Sequence, residues 1–472
     1  MSFWRLESVD RILARAFASS PKFLLDWLSS KFFNDAVDMG LSDTLAGTID
    51  VAVRGMNGAA SVAALFDSPS TDVTRIATTL NSPALEESQA ATVLDNASLR
   101  VSRAAKILND TALSLSRAAS ILNNTNISLS RIVSIFKDPN ITADRVQAIL
   151  YTMADEGFFD RLLALFTFDK ADATYSASTT LTTGVNFLRN VSIASGVTLT
   201  LGASPCVLVA DTISNSGTIT TNVVKGAGGA ASAGPSAGGD GRHGIVILAR
   251  SVTVGTVTAN GGNGGSYGTV RAYVPGNPGG AGLFWEISGY PAGTGGNGGG
   301  TGGGSGSKNA GGGGGGNFPG GSGGSATVVS FTTASALLAE LFKAVADYWM
   351  VTFLGRTPTT TKSIPALGGS GGGSGGTQSG SSYAGAAGGG GGGQVIVYGT
   401  SVTAGTIQAI AGNGGNASTS SWSGGGGGGG IIYVFYKSRT GTFTFNVAGG
   451  NAGTGGETGS PGTAGSAAIF AV

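Results

Sequence analysis

The sequence predicts a multidomain chain, α first and β after: N-terminal helices, a helical 14-residue-repeat stalk, and a C-terminal β-rich repeat domain with ordered glycine-rich loops. Three observations predict it. Apolar residues recur at helical spacing in the first part of the chain; a 14-residue block recurs seven times from residue 61; and strand-like units, each followed by a glycine run, recur from about residue 205. The expected divisions are a helical anchor at 1–60, the stalk at 61–160, a transition to β at 161–200, and a glycine-rich β-domain at 201–472 with a helical insertion at 331–355.

In the anchor, Phe3, Leu6, Leu13 and Phe17 fall on one helical face and Leu24, Leu28 and Phe32 on another. A break is expected at Ser19, Ser20 and Pro21, since proline suits a first helical turn behind a serine cap. The stalk blocks run from "SVAALFDSPSTDVT" at residue 61 to "RVQAILYTMADEGF" ending at 158. Arginine opens five of the seven, position 6 is always apolar and position 5 nearly always, and Asn or Asp sits at 7 or 8 in all but the last. Pro69, Pro83 and Pro139 all occupy position 9, which excludes one continuous helix. Each block therefore reads as a short helix, capped by the preceding position-14 side chain and ended by Asn/Asp turn chemistry. Two-turn helices are unstable alone, so the blocks pack on one another or on other subunits, and a homo-oligomer is expected.

Period-two patterns in "VSIASGVTLTLG" and "TISNSGTITTN" read as strands. Beyond them, "IVILARSVTVGTVTANGGNGG" (245–265) aligns without a gap to "VIVYGTSVTAGTIQAIAGNGG" (395–415), and "IIYVFYKSRTGTFTFNVAGGNAG" (431–453) is a further copy. Each unit is an apolar strand, a turn, a second strand and a glycine-rich excursion. Glycine runs at one fixed place in every unit belong to the fold and not to linkers. Lacking Cβ, such strands can approach closely and hydrogen-bond laterally in a polyproline-II-like lattice. In the insertion, Leu338, Leu341, Val345 and Trp349 mark an apolar face, expected to pack on the sheet, with a neighbouring subunit or a lipid surface as the alternative.

Composition restricts function. Glycine supplies 85 of 472 residues and the net charge is +1. With no basic excess, nucleic acid is not an expected partner. Cys206 is the single cysteine and His243 the single histidine, so neither a disulfide framework nor a Cys/His metal site is expected. Cys206, in "PCVLVA", reads as a small core residue; His243, in "DGRHG", reads as a loop residue without special chemistry. The charged N-terminus does not resemble a secretory signal, and no stretch offers about 18 uncharged apolar residues for a spanning helix. The acids of the second half, Asp211, Asp240, Glu286, Glu340, Asp347 and Glu457, show no close pairing suited to acid–base work. Neither an enzyme nor a cofactor is expected.

The glycine excursions do contain isolated rings: Tyr267, Tyr273, Phe284, Trp285, Tyr290, Phe318, Tyr383 and Trp422. Large rings on a nearly side-chain-free platform suit sugar faces or a protein receptor. Trp422, Trp285, Tyr290, Tyr267, Tyr273 and Tyr383 are the candidate contacts. Over about residues 205–472, the units ending in "ANGGNGG", "AIAGNGG" and "VAGGNAG" resemble the glycine-rich repeats of microbial surface proteins. They are also similar to the glycine-rich tips of viral tail adhesins. That resemblance implies polyglycine helices packed as a block, with receptor-binding loops between them. It implies a virion spike or tail-fibre protein that attaches the particle to the host cell surface, and the seven N-x-S/T sequons suggest an archaeal virus. The expected partners are the chain itself, other virion proteins through residues 1–60, and a host surface glycan or protein. The expected location is the virion surface or cell exterior. The alternative is a cellular surface-layer or extracellular filament or adhesin subunit.

Overall fold

A computed structural model describes residues 30–55, 57–203, 205–226, 239–266, 326–327, 334–359, 368–369, 386–417, 423–455 and 459–472. An N-terminal helical region is followed by parallel-strand sheets in the C-terminal half, and the chain divides into two compact units. One comprises residues 1–165 and 341–362, the other 166–340 and 363–472. The expected break at Ser19–Pro21 and the helical face from Phe3 to Phe17 lie outside the described residues.

The helical unit contains α1 (Ser30–Asp38), α2 (Ser42–Val53), α3 (Gly58–Asp67), α4 (Val73–Asn81), α5 (Glu87–Asp95), α6 (Val101–Asn109), α7 (Leu115–Asn123), α8 (Leu129–Lys137), α9 (Ala143–Asp155) and α10 (Phe159–Thr167). From α4 to α9 every helix begins 14 residues after the last. Each packs on the helix two along: α4 on α6, α5 on α7, α6 on α8, α7 on α9. Two blocks thus make one coil of a solenoid. Positions 5 and 6, such as Ile107 and Leu108 or Ile135 and Phe136, are fully buried within it. They are not exposed for a neighbouring subunit, so the block pattern gives no reason for oligomerisation. The solenoid also begins before residue 61, because α3 runs across that boundary and packs on α5.

The caps lie two residues earlier than the sequence suggests. Asp72, Ser114, Ser128 and Thr142, at position 12, accept the backbone N–H of Arg75, Arg117, Arg131 and Arg145. Position 8 forms the expected turns: Asn96 Oδ1 accepts from Ser98 N and Asn124 Oδ1 from Asn126 N, both at 2.9 Å. Position 7 reaches across coils instead. Asp67, Asn81, Asp95 and Asn109 accept the backbone N–H of Arg100, Ser114, Ser128 and Thr142.

The opening arginines explain the rest of the repeat. Arg131 Nε donates to Leu94 O at 2.9 Å, and its Nη2 donates to Asn96 O and Leu99 O. Arg103, Arg117, Arg145 and Arg161 do the same, each for the helix end and turn three helices back. A helix end leaves carbonyls without intrahelical partners, and the planar guanidinium offers donors enough for several. Burial pulls the Arg103, Arg131, Arg145 and Arg161 guanidinium groups below their ordinary value.

The next place in this ladder is filled from far along the chain. Arg356 donates to Ile141 O and Asp138 O. It follows α11 (Ala334–Trp349) and the π-helical turn Met350–Leu354. The expected packing of this insertion on the sheet is therefore corrected for residues 341–362, which belong to the helical unit. Phe342 stacks on Phe159 at 4.6 Å, and Lys343 Nζ lies 2.6 Å from Asp155. Tyr151 Oη donates to the buried Asp347 carboxylate at 2.6 and 2.7 Å, and Gln147 Nε2 donates to it at 3.1 Å. An apolar helical face with buried charges needed partners of both kinds, and the solenoid end supplies them.

The strands of the second unit are β1 (Ala173–Tyr175), β2 (Thr179–Leu181), β3 (Val185–Phe187), β4 (Asn190–Ile193), β5 (Thr198–Leu201), β6 (Val207–Asn215), β7 (Thr218–Thr221), β8 (Val224–Gly226) and β9 (Gly241–Arg242). They continue with β10 (Ile245–Thr253), β11 (Thr256–Thr258), β12 (Ala326–Thr327), β13 (Gly368–Gly369), β14 (Gln394–Thr403), β15 (Thr406–Gln408), β16 (Ile431–Thr440), β17 (Thr444–Asn446) and β18 (Ser466–Ala471). The two strands of each sequence unit do not pair with each other. The first joins a parallel sheet ordered β1-β4-β6-β10-β14-β16-β18, with β3 also on β6. The second joins another parallel sheet, ordered β17-β15-β11-β7-β5-β2. The 150-residue sequence offset is the register: Ile245 pairs Val395 and Thr256 pairs Thr406. β12 and β13 form a short antiparallel pair, Thr327 with Gly368, that brackets the insertion.

Alternation in the smaller sheet points Leu199, Ile219, Val257 and Ile407 into the core between the sheets. Thr198, Thr218, Thr256, Thr406 and Thr444 are left in one outward file. In the larger sheet the first halves of the central strands β6, β10, β14 and β16 are buried on both faces, so β16 opens on a continuous apolar run. Cys206 lies in this core as expected, and burial pushes its thiol up to about 11. His243 lies in the short connection between β9 and β10 and is fully buried, with Nδ1 2.9 Å from Gly244 O.

Two outcomes follow. Arg131→Ala should destabilise the full chain by about 3 kcal/mol by denaturant unfolding, because three carbonyls lose a charged donor, and Arg131→Lys should restore only part of it. Cys206 should stay unmodified by a thiol reagent at neutral pH until the chain unfolds.

Candidate functional site

The site is built on the glycine runs that return the chain from the smaller sheet to the larger. In 424–430, Gly424, Gly427 and Gly430 donate to the carbonyls of Gly415, Gly412 and Ala409 at 3.0, 3.0 and 2.7 Å. Gly426 and Gly429 donate to Ser460 and Thr463 at 3.0 and 2.9 Å. The carbonyls of Gly425 and Gly428 accept from Gly389 and Gly392 at 3.0 and 3.1 Å. Each direction recurs every third residue, the repeat of a polyproline-II helix, which forms no hydrogen bonds within itself. The run bonds outward on three sides and is buried along its length.

Space, not backbone conformation, demands glycine here. No residue of the run has a left-handed φ. A Cβ on Gly412 would lie 1.8 Å from Gly262 O, and one on Gly426 1.9 Å from Gly450 O. Any side chain would part the strands and break the lateral bonds.

A regular Asn supplies what the glycines cannot. In 409–417 the amides of 412 and 415 donate inward to Gly390 and Ala387, and those of 411, 414 and 417 donate to carbonyls of the next layer. The third set meets no carbonyl. Ile410 N and Asn413 N donate instead to Asn260 Oδ1 and Asn263 Oδ1 at 2.9 and 2.8 Å, and Asn416 N to Ser266 Oγ at 3.4 Å. One layer further, Asn413 Oδ1 and Asn416 Oδ1 accept from Asn451 N and Thr454 N at 2.8 and 2.9 Å. This ladder of side-chain oxygens, with Asn263, Asn413 and Asn451 in one file, was missed in the sequence. Its signal is the three-residue spacing of Asn260 and Asn263, and of Asn413 and Asn416.

The lattice also gathers the loop stems. Ala387 N donates to Gly265 O, Gly415 N to Ala387 O, Gly424 N to Gly415 O and Gly453 N to Gly424 O, while Gly459 N donates to Ser423 Oγ at 2.8 Å. Residues 266, 386, 417, 423, 455 and 459 therefore stand at one end of the lattice. The chain enters or leaves the intervening segments there. Trp422, Trp285, Tyr290, Tyr267, Tyr273 and Tyr383 lie within those segments, outside the described residues.

Of the acids considered above, Glu286 and Glu457 also lie outside the described residues. Asp211 is held by Arg250 Nη2 at 2.6 Å, and Asp347 belongs to the helical unit. Among the described residues no group of three metal-ligating side chains occurs, and no helix is long and apolar enough to cross a membrane. Comparison with family models, curated proteins and solved structures gives no match.

Gly412→Ala should cost about 1–3 kcal/mol by overpacking against backbone that has no rotamer to yield. Gly47→Ala in α2, where the nearest atom to an added Cβ is 4.0 Å away, should be neutral or stabilising by about 0.5–1 kcal/mol. Thermal unfolding of the two full-length variants checks both.

Proposed function

We propose that this chain is a structural attachment protein, a virion spike or tail-fibre subunit that binds its particle to a host cell surface. Residues 1–60 seat it on other virion proteins and on further copies of itself. The 14-residue repeats act as a stalk, and residues 201–472 are the binding head, with its glycine-rich segments held in order by the lattice. The convergence of the loop stems on one end of the lattice is the observation that supports this reading most. Residues 266, 386, 417 and 423, from which the segments bearing Trp285, Tyr290, Tyr383 and Trp422 lead off, stand on that one base. Binding energy concentrates on a few Trp and Tyr residues, so clustering such segments on a preorganised base is the economical way to build a contact surface.

The expected experiment is mass spectrometry of purified particles and of the cell-envelope fraction from the source culture. Recovery in the particles supports the spike. Recovery in the envelope fraction alone replaces it with the surface-layer or adhesin reading. The head's contacts are tested separately by Trp422→Ala, which should reduce adsorption of the folded chain to cells about tenfold or more, the equivalent of at least about 1.4 kcal/mol.

A further inference from the structure

One flank of the lattice has a chemistry that neither the loops nor the core accounts for. Asn263, Asn413 and Asn451 form one exposed file across the layers, and Ser266, Asn416 and Thr454 form a second beside it. Within a layer the two files are three residues apart, about 9 Å on a polyproline-II rise. The backbone runs that bear them are hydrogen-bonded side by side: Gly264 N to Asn413 O, and Gly414 N to Asn451 O. The files therefore sit on a fixed grid.

Their rotamers are fixed as well. The oxygen of Asn263, Ser266, Asn413 or Asn416 is occupied by a backbone N–H of the next layer. For the asparagines this leaves the amide NH2 as the free end, two donors each. Among the described residues none of these NH2 groups donates to the protein. The runs 259–266, 409–417 and 446–455 contain no charged residue, and neither do the six strands of the adjoining sheet.

We propose that this flank binds a neutral glycan chain laid across the layers. The choice follows from what the surface offers. Without charge it has nothing to pair with an ionic polymer. Without an aromatic or aliphatic anchor it lacks the core that protein interfaces require. What it presents is a periodic set of immobilised amide donors beside hydroxyls, and a neutral polysaccharide presents periodic oxygen acceptors. Because the amide oxygens of Asn263, Asn413 and Asn416 are already bound, donation from these three costs little rotamer entropy on binding. The proposal rests on the attachment reading and names the class of surface molecule that the head takes.

The test uses the full chain and a panel of neutral polysaccharides, namely glucan, galactan and mannan, with an anionic polysaccharide as contrast. Two variants keep the ladder: the triple Asn413→Asp, Asn416→Asp, Asn451→Asp removes the NH2 donors, and the milder Asn413→Ser with Asn416→Ser replaces each two-donor amide by a shorter, single-donor hydroxyl. Ser266 already fills a place in the ladder through its hydroxyl. The expected result is binding to at least one neutral polymer and a loss of tenfold or more in both variants, with unchanged unfolding midpoints. A purely structural role would leave binding intact in both. Should the variants unfold, hydrogen exchange on the unaltered chain decides: bound polysaccharide must slow exchange at 413–417 and 451–455. The proposal is overturned if no neutral polymer binds, if only the anionic one does, if folded variants bind like the parent, or if those amides are unprotected. Cell adsorption is measured in parallel. Adsorption that survives both variants rejects the glycan surface and leaves attachment standing; a parent chain that binds glycan but no cell rejects attachment instead.

Discussion

The head depends on one constraint: every buried backbone N–H and C=O must find a partner, and a run with no internal bonds must find them all on its neighbours. Seven glycines before β16 meet that demand because neighbours can approach on three sides at once. The entropy lost in ordering glycine is offset by a dense set of lateral hydrogen bonds. Register then follows from the same bonds. The lattice runs and the two parallel sheets share one offset between layers, 150 residues for Ile245 with Val395 and again for Asn413 N on Asn263 Oδ1. A slip in either would unpair the other.

The helical unit solves the same problem with side chains. Short helices end often, and each end leaves carbonyls bare. The arginine ladder covers them from the helix three ahead, and the position-7 Asn or Asp covers an N–H at the start of that same helix. Each block is thus completed by a block that is not its neighbour in sequence, which makes the solenoid cooperative beyond its apolar core. The insertion is the end of that series. Arg356 fills the place that a further block would have filled, so the solenoid is closed by a segment some 200 residues away in sequence.

This division explains what could be read in advance. The 14-residue period was legible because one physical solution is repeated. Its phase was not, since Ser or Thr stands at both positions 12 and 14, as in Ser114 and Ser116, and propensity cannot choose between them. Burial of positions 5 and 6 inside one chain needed the two-block coil, which no local pattern states. Arg356 lies outside the period, so its partners could not be inferred. His243 looked like a loop residue because its neighbours are Gly, Asp and Arg, while its burial is set by strands far away in sequence. The lateral glycine bonding followed from the absence of Cβ. The Asn ladder did not, because its meaning appears only when the third set of amides is seen to lack a carbonyl. The aromatic candidates lie outside the described residues.

The same geometry separates what can vary from what cannot. A lattice glycine whose added Cβ would sit about 2 Å from a neighbour's backbone tolerates no side chain at all, so change is forbidden in the interior of the head. The loop segments and the outward flank obey no such limit. A substitution there that keeps an acceptor oxygen in the ladder alters what the surface offers and leaves the bonds between layers in place. Within the same short runs Gly412 and Gly415 face the lattice, while Asn413 and Asn416, one position on, are exposed and hold the next layer through their side-chain oxygens alone. That arrangement lets the exposed amide NH2 groups vary while the three-way hydrogen bonding of the glycines keeps the frame fixed.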